Sequence, residues 1–109
     1  MNAAAKILVV DDTEMNRDMM CALLAADGHK ASVAVNGRIG LEMLKAEPFD
    51  LILLDVMMPE MNGYQVLEQM KADANLRAIP VIVLSALDEI GSVVRCIEFG
   101  AEDYLPKPF

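Results

Sequence analysis

Five short apolar runs constrain this 109-residue chain more than anything else in it. They are Ile7-Leu8-Val9-Val10, Ala31-Ser32-Val33-Ala34, Leu51-Ile52-Leu53-Leu54, Val81-Ile82-Val83-Leu84 and Asp103-Tyr104-Leu105. In the three strongest, apolar residues do not alternate with polar ones. Both faces of such strands must be covered, which is the pattern of a parallel sheet under helices. The stretches between the runs have helical period, so the element order is β-α-β-α-β-α-β-α-β. Right-handed crossovers then leave few topologies, and an α/β doubly wound sheet of five parallel strands stands first.

Helix signals punctuate the intervals. From Glu14 to Asp27, Met15, Met19 and Leu23 recur at i, i+4 and i+8, and Gly28 follows where a helix stops. Asn36 is placed to cap a helix from Gly37 to about Glu47, with Ile39, Met43 and Leu44 on one face and Pro48 beyond it. After the turn Met58-Pro59-Glu60-Met61-Asn62-Gly63, a helix from about Tyr64 to Ala74 turns Leu67 and Met70 inward. Asp88 is placed to cap a fourth helix. Its Ile90, Val93, Val94 and Ile97 form a stripe that Gly100 closes. Most of the nine methionines read as core filling, and Cys21 and Cys96 as small hydrophobes rather than a disulfide framework.

Composition removes several functions. With 55% hydrophobic residues and a mean hydropathy of +0.35, the chain fills a core and is not disordered. One domain over residues 1–109 fits the length. Seventeen acidic against nine basic side chains give a net charge of −8, which argues against direct nucleic-acid binding and against anionic membranes. No apolar run approaches a membrane span, and the start lacks a signal-peptide core, so a cytoplasmic domain is the expectation.

The chemistry collects at strand ends. Open α/β sheets bind ligands beyond the carboxyl ends of their strands, where strand order reverses. Here those ends carry Asp11 and Asp12, Asp55, Ser85 and Lys107, from the first, third, fourth and fifth strands. In the spatial order 2-1-3-4-5 these strands are consecutive, ~4.8 Å apart, so the side chains converge. Three carboxylates alone are unfavourable, because two unit charges about 4 Å apart repel by roughly 4 kcal/mol at an effective dielectric near 20. Either some stay protonated or a hard cation holds them. Mg²⁺ suits carboxylates and retained waters, and with Lys107 it balances the −3 of the three acids. This set describes a metal-dependent phosphoryl acceptor: Asp55 as nucleophile, Asp11 and Asp12 as metal holders, Ser85 and Lys107 as donors to the phosphoryl oxygens. Taken singly, each residue has a plainer reading. Asp12 or Thr13 fits a helix N-cap, Asp55 fits another cap, and His29 fits an exposed turn.

At these residues the sequence resembles the receiver domain of two-component response regulators. The resemblance rests on Ile7-Leu8-Val9-Val10-Asp11-Asp12, Asp50-Leu51-Ile52-Leu53-Leu54-Asp55, Met58-Pro59-Glu60-Met61-Asn62-Gly63, Val83-Leu84-Ser85-Ala86 and Gly100-Ala101-Glu102-Asp103-Tyr104-Leu105-Pro106-Lys107-Pro108-Phe109. It implies the flavodoxin-like order 2-1-3-4-5 and a phosphoryl group passed to Asp55 from a phosphohistidine of a sensor kinase or phosphotransfer protein. It implies Mg²⁺ held by Asp11, Asp12, Asp55 and the main-chain carbonyl of Met57. Ser85 and Tyr104 match a switch pair, and the Lys107-Pro108 bond matches a cis position. The output surface would be the fourth helix and fifth strand, where Arg95 and Glu98 are expected to be exposed. Partners would be the kinase, a downstream output domain or protein, and a second copy in a homodimer. Such a domain assists its own phosphorylation without being an enzyme in the usual sense.

Met57 and Leu87, each two residues past a site residue, cannot hydrogen-bond an attacking water, so self-dephosphorylation is expected to be slow. The family's fifth helix would follow the Lys-Pro-Phe segment, so residues 1–109 read as a receiver cut before that helix. Three alternatives have weaker support. A haloacid-dehalogenase-type phosphatase wants a second Asp at Met57. A flavin binder wants a Ser, Thr and Gly-rich loop where Asp11-Asp12-Thr13-Glu14 stands. A pseudo-receiver serving only protein interaction or dimerisation would not need the intact acceptor set.

Overall fold

The computed structural model describes residues 4–86 and 89–107. Its elements are β1 (Lys6–Val10), α1 (Glu14–Ala26), β2 (Lys30–Ala34), α2 (Gly37–Ala46), β3 (Leu51–Asp55), α3 (Gly63–Ala72), β4 (Val81–Ser85), α4 (Ile90–Phe99) and β5 (Asp103–Pro106). All five strands are parallel, in the order β2-β1-β3-β4-β5. The doubly wound α/β sheet and its order are therefore as expected. The Asp88 cap, Leu87 and the Lys107-Pro108 bond lie outside the described residues.

Alternate residues of the central strands feed two cores. Leu8, Val10, Ile52, Leu54, Val81 and Val83 face α2, α3 and α4, which add Leu41, Leu44, Val66, Leu67, Met70, Val93 and Cys96. Each such burial contributes on the order of 1.5–3 kcal/mol. Ile7, Val9, Leu53 and Leu84 face the other way, onto Met20 and Leu24 of α1. The side-chain caps hold where local chemistry dictated them. Asn36 Oδ1 accepts from Ile39 N–H at 2.8 Å, and Asn62 and Gln65 form a reciprocal capping box at 3.0 and 2.9 Å. Thr13 occupies the N-cap position of α1, but its side chain makes no capping bond.

The α1 stripe differs from expectation. Met15 is 71% exposed, and Met19 and Leu23 are exposed too, whereas Met20 is buried. Two apolar stripes run along this helix, and the one that meets Ile7, Val9, Leu53 and Leu84 is Met20-Leu24. Periodicity shows that a helix has an apolar face; packing selects which of two faces turns inward.

Candidate functional site

Four strands end at one place. The β3–β4 register pairs Asp55 with Leu84, and the β4–β5 register pairs Ser85 with Pro106 and Val83 with Tyr104. Asp11 is the residue after β1, and its N–H still donates to Ala34 O at 3.2 Å. Asp11, Asp55 and Ser85 are the buried polar residues among those described, while Asp12 is exposed. Carboxylate oxygens of Asp11, Asp12 and Asp55 all lie within 4.8 Å of one another. Lys107 Nζ reaches in from beyond β5, 2.9 Å from Asp55 Oδ1 and 3.5 Å from Asp11 Oδ2. Its aim is set by a main-chain bond: Lys107 N–H donates to Ser85 O at 2.6 Å.

One ammonium serves two buried carboxylates, and the electrostatics reflect that shortage. Burial pushes the Asp55 carboxyl up to about 7, and the Asp11 charge adds to the rise while the hydrogen bond from Lys107 opposes it. Burial alone would lower the Lys107 ammonium, but its hydrogen bond to Asp55 and the charges of Asp55 and Asp11 outweigh this and raise it. Asp55 caps no helix: its Oδ1 accepts from Lys107 and, at 3.3 Å, from Met57 N–H. Asp11 Oδ1 accepts from Thr13 N–H at 2.9 Å, and Asp11 Oδ2 has no hydrogen-bond partner. That oxygen is faced only by the Lys107 ammonium at 3.5 Å, and a buried carboxylate oxygen without a hydrogen bond costs free energy. The donor set, all oxygen and partly open to solvent through Asp12, suits a hard divalent cation.

Two residues have parts in this geometry that the sequence alone does not assign. Gly63, which opens α3, donates its N–H to Val56 O at 2.8 Å. A Cβ there would stand 2.5 Å from Asp55 O and 2.9 Å from Val56 Cα. Only glycine lets α3 start so close to the strand end. Arg17 of α1 donates through Nη1 to the main-chain O of Asp11 at 2.9 Å. That bond ends on a carbonyl, which every residue has, so residue type gave no signal. His29 lies at the opposite end of the sheet, its Nδ1 accepting from Ala5 N–H at 3.0 Å.

Comparison with known proteins agrees with this arrangement. The response regulator receiver domain family matches residues 7–109. The chain belongs to that family. It is 44% identical over 105 residues to response regulator PleD of Caulobacter vibrioides, covering 96% of this chain and 23% of that protein. It is 36% identical over 107 residues to two-component response regulator ORR11 of Oryza sativa, covering 97% of this chain and 73% of that protein. The chain thus spans about a quarter of PleD. Among solved structures it is similar to the signal receiver domain of a histidine kinase from Syntrophus aciditrophicus. There the identity is 38% and the TM-score 0.87, over 97% of this chain and 80% of that one. Chemotaxis protein CheY4 of Vibrio cholerae superimposes with a TM-score of 0.90 at 30% identity, covering 98% of this chain and 89% of that one.

The receiver's two remaining regions can now be placed. Tyr104 is exposed on β5 while Ser85 is buried at the end of β4. Arg95 and Glu98 are exposed as expected, but Arg95 lies over the ring of Tyr64, 4.2 Å from its centroid, which puts it toward α3. Ile90, Val94, Ile97 and Phe99 are the exposed large apolar residues of α4, with Tyr104 and Leu105 exposed on β5. Among the described residues, no helix is long and apolar enough to cross a membrane.

Proposed function

We propose that this receiver is a phosphorylation-activated switch in which Asp55 accepts a phosphoryl group from a phosphohistidine. The observation that carries this reading is the buried, cation-poor acidic centre: Asp55 and Asp11 share one ammonium, and Asp11 Oδ2 faces it at 3.5 Å with no hydrogen bond. Asp11, Asp12, Asp55 and the Met57 carbonyl would hold Mg²⁺, which offsets their charge and that of the incoming phosphoryl group. An Asp55 oxygen forms the new P–O bond as the donor's P–N bond breaks, and the electron pair stays on the imidazole nitrogen. Lys107 and the Ser85 hydroxyl donate to phosphoryl oxygens, holding charge that develops in transfer.

The signal follows from differential binding. Phosphorylation replaces the single charge of Asp55 with about −2, so Ser85 and Lys107 meet stronger acceptors. A state in which Ser85 turns toward the phosphoryl group and Tyr104 fills the vacated space is then favoured over the one in which it does not. The α4–β5 surface, apolar at Ile90, Val94, Ile97 and Leu105, carries the change to an output domain, a downstream protein or a second copy. Incubation with acetyl phosphate and Mg²⁺, read by intact mass, tests this. Wild type should gain one phosphoryl mass that persists for hours, and Asp55→Asn should gain none. An unmodified wild type would leave a pseudo-receiver, and decay within seconds would overturn the slow self-dephosphorylation expected from Met57 and Leu87.

A further inference from the structure

Asp11 is hydrogen-bonded at every polar atom but one. Its N–H donates to Ala34 O at 3.2 Å, its Oδ1 accepts from Thr13 N–H at 2.9 Å, and its main-chain O accepts from Arg17 Nη1 at 2.9 Å. Only Oδ2 makes no hydrogen bond: it is buried in the acidic cluster with the Lys107 ammonium 3.5 Å away. The Arg17 bond spans six residues of chain. Arg17 N–H also donates to Thr13 O at 3.1 Å, the first bond of α1. Arg17 is therefore fixed in the first turn of α1 through its backbone, and its guanidinium ties that turn to the end of β1. The loop closed by the guanidinium bond contains Asp12 and Thr13, one a candidate ligand and the other the donor that occupies Asp11 Oδ1.

We propose that Arg17 is a positioning residue for the cation site, fixing the β1–α1 turn so that Asp11 Oδ2 and the Asp12 carboxylate converge with Asp55. It touches neither the cation nor the phosphoryl group. Its role is that of an outer partner orienting ligands, a kind of contact whose loss typically weakens metal binding about 10- to 100-fold. The inference rests on the reading of Asp11, Asp12 and Asp55 as a cation site.

The sign of the effect separates positioning from plain electrostatics. A guanidinium beside a cation site repels the cation, so removing its charge alone would tighten Mg²⁺ binding. Removing the tether loosens it. The two accounts predict opposite directions.

The test is a calorimetric Mg²⁺ titration of the 109-residue chain, well below its melting temperature. Arg17→Met should raise the Mg²⁺ dissociation constant about tenfold. Arg38→Met removes the same charge from α2, where Arg38 pairs with Glu42 on the surface, and should leave it unchanged. Arg17→Lys keeps the charge but falls about one bond short of the Asp11 carbonyl. It should weaken binding at least twofold, and it carries the test if Arg17→Met does not fold. With acetyl phosphate, Arg17→Met should need more Mg²⁺ for half-maximal phosphorylation yet reach the wild-type rate at saturation. Equal or tighter Mg²⁺ binding by Arg17→Met overturns the proposal, as does unchanged binding by Arg17→Lys. A lower saturating rate at unchanged affinity does so too, because it would make Arg17 a donor-contact residue. Wild type that binds no Mg²⁺ would instead overturn the reading of the site.

Discussion

The two ends of the sheet are made from the same strands and treated oppositely. At the amino end, Lys6 N–H donates to Asp50 Oδ2 at 2.8 Å, Asp50 N–H returns a bond to Lys6 O at 2.8 Å, and His29 Nδ1 takes the Ala5 N–H. Lys6 Nζ pairs with Glu47 at 3.2 Å and lies 4.9 Å from the centroid of the Phe49 ring. Polar groups there find neutral or opposite partners. At the carboxyl end, three carboxylates crowd one ammonium, two of the acids are buried, and one buried oxygen makes no hydrogen bond. Both ends lie on equally regular strands, so fold alone does not set the difference. Residue choice at the strand ends does. One end stabilises the domain, and the other holds electrostatic energy that a cation or a phosphoryl group can release.

Substitution at each end should therefore differ in sign. The largest effect is expected at Asp55. Its carboxyl is raised from 3.8 to about 7 when folded, so between these values the folded protein keeps a proton that the unfolded chain has lost. Stability of the metal-free protein thus falls as pH rises through that window, and the loss is complete above about pH 7. Asp55→Asn lacks this loss. In chelator at pH 8 it should be about 1–3 kcal/mol more stable than wild type by urea unfolding. The gap should shrink toward pH 4, and Mg²⁺ should narrow it by stabilising wild type. A destabilised Asp55→Asn at pH 8 would break the contrast between the ends.

At the amino end the sign reverses. Asp50→Ala removes the acceptor of the Lys6 N–H and should cost about 0.5–1 kcal/mol, with little change between pH 6 and 8. Lys6→Met is the smallest: it loses a half-exposed ion pair and should shift stability by no more than about 0.5 kcal/mol. A gain at Asp50→Ala as large as that at Asp55→Asn would erase the distinction between the two ends.

Much of this was legible in the residues. Unbroken apolar runs require coverage on both faces, and that requirement, with crossover handedness, leaves the observed strand order among very few. Once the order is known, Asp11, Asp12, Asp55, Ser85 and Lys107 are gathered by topology alone. The inward face of α1 was not legible, because Met15-Met19-Leu23 and Met20-Leu24 are both apolar stripes on one helix. Contacts with Ile7, Val9, Leu53 and Leu84 decide between them, and those contacts are distant in sequence. Arg17 was hidden for a different reason. Its partner is a main-chain atom, and its meaning appears only when the β1–α1 turn is closed.

Gly63 has a consequence for how the gene can vary. Every one of the other 19 amino acids carries a Cβ or its equivalent, and at this position that carbon would stand 2.5 Å from the Asp55 carbonyl oxygen. No missense change in this codon is silent to the site. In a saturation scan read out by phosphorylation, a position with no charge, no side chain and no chemistry of its own should be as intolerant as the acidic residues it abuts.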